Sequence, residues 1–71
     1  MLEMVSVSSS TIESIGYEPG SKRLHVHFLS TEKYVYQGVP QIVHARFMRA
    51  PSKGTYLADE IKDKYKYTEI Y

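Results

Sequence analysis

Apolar and polar residues alternate most strictly between Lys22 and Leu29. Leu24, Val26 and Phe28 fall on one side of an extended chain, and Arg23, His25, His27 and Leu29 on the other, because side chains of a strand repeat every two residues. The pattern predicts a half-buried strand with its apolar side on a core. Tyr34 and Tyr36 alternate again within Lys33 to Gly38. They predict a further strand whose tyrosines lie beside Leu24, Val26 and Phe28. Upstream, the Thr, Ile and Tyr content of Thr11 to Glu18 favours a first strand. Ile12 and Ile15 are three apart there, which breaks the alternation, and Gly16 is the expected place for a bulge that resets it. Pro19-Gly20-Ser21 and Ser30-Thr31-Glu32 read as the connecting turns, with Gly20 able to accept positive φ. Three strands joined this way form an antiparallel meander, and its apolar face needs a cover.

The period changes after Gly38. Val43, Phe47 and Ala50 recur at helical spacing behind Val39, while Gln41, His44 and Arg46 point outward. Pro40 is suited to the first helical turn, and Pro51 ends the helix by removing a donor and clashing with the turn before it. Ser52 can cap a second helix, in which Leu57, Ile61 and Tyr65 recur every four residues. Tyr65-Lys66-Tyr67 alternates once more and suggests a short extended segment at the end. The reading is an α+β fold: a three-stranded antiparallel meander followed by two helices packed on one face. It assigns residues 1–7 to a loosely ordered lead-in and residues 8–71 to one domain.

Composition narrows the class. A chain of 71 residues buries only roughly 60% of the surface its unfolded form exposes, so the core is small. There is no cysteine, hence no disulfide framework and no thiolate metal site. No apolar run is long enough to span a membrane, and Met1-Leu2-Glu3-Met4 lacks a signal-peptide pattern. The expectation is a cytoplasmic protein, with Met4 as an alternative start to Met1. The net charge of +1 hides an uneven distribution. Residues 33–58 carry Lys33, Arg46, Arg49 and Lys53 and no acid, while both flanks are net acidic.

Candidate chemistry is sparse. His25 and His27, at i and i+2 on the outer strand face, could chelate a metal with His44 as third ligand. No carboxylate or cysteine stands at ligand spacing, so two solvated histidines are the preferred reading and no metal or other cofactor is assigned. Ser8, Ser9 and Ser10 lack the surroundings of an activated nucleophile. Hydrogen bonding to backbone at a strand start explains Ser9 and Ser10 better. No carboxylate lies in an apolar stretch that would raise its pKa, and no catalytic residue is assigned. The strongest remaining signal is the basic helix–Pro–helix junction. Arg46, Arg49 and Lys53 surround it, beside Ser52, Gly54 and Tyr56. A capped helix start with a glycine nearby can receive a phosphate, basic residues attract a polyanion, and Tyr56, with Tyr34 or Tyr36 if a face is open, could stack unpaired bases. The plainer alternative is that Ser52 caps, Gly54 packs against the sheet, and the charges solvate a helix.

The series Val7-x-Ser9-Ser10 with Ile12, Ile15-Gly16-Tyr17, Leu24-x-Val26-x-Phe28, Tyr34-x-Tyr36-x-Gly38-Val39-Pro40, Ala50-x-Ser52-x-Gly54-x-Tyr56 and Ile61 closely resembles the KTSC domain. The resemblance runs from about Val7 to Tyr67. That family takes its name from the C-terminus of some lysyl-tRNA synthetases, and it also occurs as stand-alone bacterial and phage proteins. The resemblance implies a free-standing domain without established enzyme activity, and it brings no catalytic residues. This chain departs from the family pattern at Ser30-Thr31-Glu32, where a glycine is frequent, and at Ala58, where an asparagine is common.

The expected function is therefore a non-enzymatic accessory role. Weak RNA binding through Arg46, Arg49, Ser52, Lys53, Gly54 and Tyr56 is the first reading. The alternative is protein–protein association through a sheet edge or the tyrosine face, including a weak homodimer in place of a monomer. Placement within a tRNA-charging enzyme, implied by the resemblance, favours RNA by association.

Overall fold

The alternating run forms the middle strand of a five-stranded antiparallel sheet. The computed structural model describes residues 2–70. In chain order it contains β1 (Val5–Ser6), β2 (Ile12–Glu18), β3 (Arg23–Phe28), β4 (Lys33–Tyr36), α1 (Gln41–Arg49), α2 (Lys53–Tyr56) and β5 (Tyr67–Ile70). α2 runs straight on into a π-helical segment, Leu57–Ile61. Strand order in the sheet follows chain order, β1 to β5.

The register delivers the expected apolar face. Leu24 lies opposite Tyr17 and Tyr36, and Val26 opposite Ile15 and Tyr34. Ile12, Ile15, Leu24, Val26 and Tyr36 are buried and meet Val39, Phe47, Leu57 and Ile61 from the helical side. Phe47 is fully buried and is the buried anchor of α1. Val43, expected on the same stripe, is half-buried. The stripe of the second helix holds, with Leu57 and Ile61 in the core and Tyr65 packed against it. The Lys62 N–H donates to the Leu57 carbonyl at 2.7 Å, the i+5 spacing of a π turn.

The sheet has five strands, not three. β1 arises within residues 1–7 and pairs with β2, Val5 opposite Ile15. Two residues carry no alternation of their own, so this strand exists through its partner. β5 pairs with β4, Tyr67 opposite Tyr36, and is the short final extended segment. The register shift in β2 falls between Ile12 and Ser14 rather than at Gly16. It brings Ile12 and Ile15, three apart, into the same core. Gly16 has a different use. A Cβ there would come 2.5 Å from Met4 Sδ and 3.1 Å from the Glu3 carbonyl oxygen, so its absence lets the N-terminal segment close on β2.

Turn geometry also departs from the expectation. The left-handed position in the first turn is Lys22, at φ 58°, not Gly20. In the β3–β4 turn it is Thr31, at φ 76°. The Thr31 N–H donates to the Phe28 carbonyl at 3.0 Å, and the Phe28 N–H to the Glu32 carbonyl at 2.8 Å. This is a short hairpin turn that ends on a left-handed residue, where glycine is favoured and a β-branched side chain is strained.

Two stability outcomes follow from this packing. Phe47→Ala should lower the unfolding free energy by ~3–5 kcal/mol; an unchanged urea midpoint would place Phe47 outside the core. Thr31→Gly should raise stability by about 1 kcal/mol by relieving the positive φ. No gain in the same measurement would show that the turn is unstrained.

Candidate nucleic-acid interface at the helix junction

The junction between the helices is built from capping interactions. Pro40 precedes α1, and its carbonyl accepts from the N–H groups of Val43 and His44 at 3.0 and 3.3 Å. At the other end Ala50 is extended, at ψ 136°, the conformation that a following proline enforces. The Ala50 carbonyl accepts from Lys53 Nζ at 2.6 Å. Ser52 caps α2: its Oγ accepts from the Thr55 N–H at 3.3 Å and donates to Thr55 Oγ1 at 3.0 Å. Gly54 sits against Thr11, whose Oγ1 would lie 3.4 Å from an added Cβ.

The candidate residues divide between two open clefts on either side of α2. One cleft, about 740 Å³, joins Ser52, Lys53, Gly54 and Thr55 to Ser8, Ser9 and Ser10. The other, about 480 Å³, joins Arg46 and Tyr56 to Ala50 and Glu60. Ser52 and Asp59 line both. Arg49 lines neither and is exposed in the last turn of α1. There it and Arg46 complement the negative end of the helix dipole. Tyr56 stacks on Phe47, with centroids 5.7 Å apart and planes 17° from parallel, so the ring face turned toward Phe47 is occupied.

Sequence reasoning missed two features of this site. The serines Ser8 to Ser10 come to the cleft from the other end of the chain. Ser9 does hold backbone as expected, with its Oγ accepting from the N–H groups of Thr11 and Ile12 at 3.1 and 3.2 Å. Asp59 and Glu60 bring negative charge to the clefts. They follow the acid-free stretch directly, and a single helical turn folds them back toward it.

His44 lies apart from His25 and His27. His25 and His27 lie on the sheet face opposite the core, and His25 Nε2 is 2.8 Å from Glu18 Oε1. This contact holds the Glu18 carboxyl below its ordinary pKa. His44 is not an outward residue of α1. It stacks on Tyr17, with centroids 4.6 Å apart and planes 9° from parallel. Burial lowers the pKa of His44 and, with Lys33 nearby, that of His27. Among the described residues no three metal-ligating side chains gather.

The chain belongs to the KTSC domain family, whose model matches residues 8–65. It is 34% identical over 67 residues to a lysine–tRNA ligase of Nostoc sp., covering 94% of this chain and 12% of the ligase. The chain thus spans about an eighth of the length of that relative. It is also 33% identical over 70 residues to an uncharacterised protein of Stutzerimonas stutzeri, covering 97% of this chain and 99% of that one. The crystal structure of a KTSC domain protein from Yersinia pestis superposes with a TM-score of 0.97 at 39% identity, with both chains fully covered.

The lowered histidine pKa values set a pH dependence. The unfolded chain binds protons at His27 and His44 that the folded chain resists, so stability rises with pH in that window. It is therefore complete above the unfolded histidine value of about 6.5 and declines as pH falls below it. The Glu18 contribution is lost at lower pH, once that carboxyl protonates. The melting temperature should fall between pH 7 and pH 5. His44→Phe, which keeps a ring against Tyr17, should flatten part of that slope. A melting temperature independent of pH across this range would contradict the assignment.

Proposed function

We propose that this domain is a non-enzymatic accessory module that binds RNA weakly at the helix junction. The observation that carries the reading is the hydroxyl-lined cleft. Ser8, Ser9 and Ser10 face Ser52, Lys53 and Thr55 across it. Hydroxyls, backbone N–H groups and a cation are the groups that hold phosphate and ribose without reading sequence. Arg46 on the far side of α2 and Arg49 at its approach extend the positive field. Asp59 and Glu60 oppose it, and Lys53 is already engaged with the Ala50 carbonyl. Both facts point to low affinity rather than tight binding. The relatives that are lysine–tRNA ligases carry a matching segment as 12% of their length, which suits a module working beside tRNA in the cytoplasm. Among the described residues no helix is long and apolar enough to cross a membrane.

Protein association is the second reading, favoured by one specific feature. β5 is an edge strand with Tyr67 and Ile70 exposed, and an open edge accepts a partner strand.

An amide NMR titration with a single-stranded RNA separates the two. Shifts at Ser8 to Thr11 and Arg46 to Ala58 that weaken with salt are expected. Replacing Arg46, Arg49 and Lys53 together with Ser should weaken binding and flatten the salt slope by up to about 2, at ~0.7 per lost phosphate contact. Retained fold is checked on the same spectrum, because Lys53 also holds Ala50. Unchanged binding by the folded variant would remove the junction as the site.

A further inference from the structure

A separate groove opens between the inner face of the sheet and the second helix, with a volume of about 450 Å³. One wall is aromatic: Phe28, Tyr34, Tyr36 and Tyr67. The other is Leu57 and Ala58. The rings are ordered. Tyr34 stacks on Tyr67 at 4.8 Å and 21°, and Phe28 meets Tyr34 edge-on at 5.2 Å. Tyr67 is 51% exposed, so the ring presents a free surface beyond its stack on Tyr34. Tyr36 is buried at the base of this wall, and burial pushes its hydroxyl up to about 12, so it stays protonated. Glu32 and Lys62 flank the groove.

Thr11, Gly54 and Ala58 line both this groove and the hydroxyl-lined cleft. The two therefore adjoin on either side of the Thr11–Gly54 contact, with hydroxyls and Lys53 on one side and stacked rings on the other. Resting on the RNA reading above, we propose that the groove receives one unpaired nucleobase of the strand held in the cleft. The base stacks on Tyr67, and its exocyclic amino group donates to the Glu32 carboxylate. The lining sets this direction: the groove offers ring faces, with Glu32 and Lys62 offsetting one another, while the cleft offers serines, Thr55 and Lys53 with Asp59 opposing. An amino-bearing base is preferred, because uracil offers a carbonyl where cytosine offers an N–H donor. Stacking on an aromatic ring supplies the affinity and tolerates any base shape.

The test uses the labelled domain and three ligands of about six nucleotides: oligocytidine, oligouridine, and an abasic ribose–phosphate strand. Oligocytidine should bind about tenfold more tightly than the abasic strand and more tightly than oligouridine, with shifts at Tyr34 and Tyr67. Tyr67→Ala should abolish that advantage, and Tyr67→Phe, which keeps the ring, should retain it. Glu32→Gln, at a residue that lines the groove and not the cleft, should lessen the preference for oligocytidine over oligouridine. Equal binding of all three strands, with shifts confined to Ser8 to Thr11 and Ser52 to Thr55, overturns the base groove and leaves the RNA reading standing. No binding of any strand overturns both.

Discussion

Val39 is the point where the sheet and the helices are tied together. Its side chain is fully buried. Its N–H donates to the Lys22 carbonyl at 2.9 Å, and its carbonyl accepts from the Tyr17 hydroxyl at 2.5 Å. Both polar groups of this residue are thus satisfied by β2 and the turn that follows it. Gly38, at φ 71°, turns the chain out of β4, and Pro40 fixes the entry to α1. Between those two residues the chain changes from strand to helix within one buried, doubly bonded position. The placement of Phe47 over the sheet depends on that corner, because a helix start shifted by one residue would rotate Phe47 away from Leu24 and Val26. The Tyr17 ring that holds Val39 also stacks on His44 of α1, so the same contact clamps the first turn of the helix.

Much of this was legible, and the reasons differ by element. β3 and β4 were plain because Leu24, Val26, Tyr34 and Tyr36 face one core, which imposes period two on the sequence. The second helix was plain because Leu57 and Ile61 are both buried in that core. β1 was not, since Val5 and Ser6 are exposed and their pairing is with Ile15 and Ser14, distant in the chain. The left-handed turn residues were misread for a related cause. Gly20 advertises positive φ, yet the strain falls on Lys22 and Thr31, which their turns compel into that region. At the candidate site the local pieces were visible: the cap at Ser52, the break at Pro51, the basic run. Their division between two faces of α2 was not, because that depends on how α2 leaves the proline. The arrival of Ser8 to Ser10 depends on the meander as a whole.

Small size links the fold to its open surfaces. The helical segments give only Phe47, Leu57 and Ile61 as buried residues, a small cover for a five-stranded sheet. Toward β5 the same face is finished by tyrosines. Tyr34, Tyr36 and Tyr67 form a continuous set of contacts, with centroids 4.8 to 6.3 Å apart. Tyrosine tolerates this boundary because its ring packs while its hydroxyl reaches water. An aliphatic residue in the place of Tyr67 would leave an apolar patch with no polar tip. These three tyrosines are therefore first a solution to an undersized cover, and that solution leaves part of the Tyr67 ring exposed.

The basic junction has the same double character. Arg46, Arg49 and Lys53 all lie at the carbonyl end of α1, where cations stabilise exposed carbonyls and the helix dipole. This structural use accounts for why three positive charges gather there. It does not neutralise them: Arg46 and Arg49 remain exposed, and their field extends about a Debye length into solvent. Asp59 and Glu60, one turn beyond Tyr56, trim that field without cancelling it. A polyanion approaching the junction thus meets modest attraction and a hydroxyl-rich floor. The hydroxyls of that floor are themselves committed to local structure, Ser9 to the start of β2 and Ser52 to the cap of α2, so the fold and any ligand draw on the same groups.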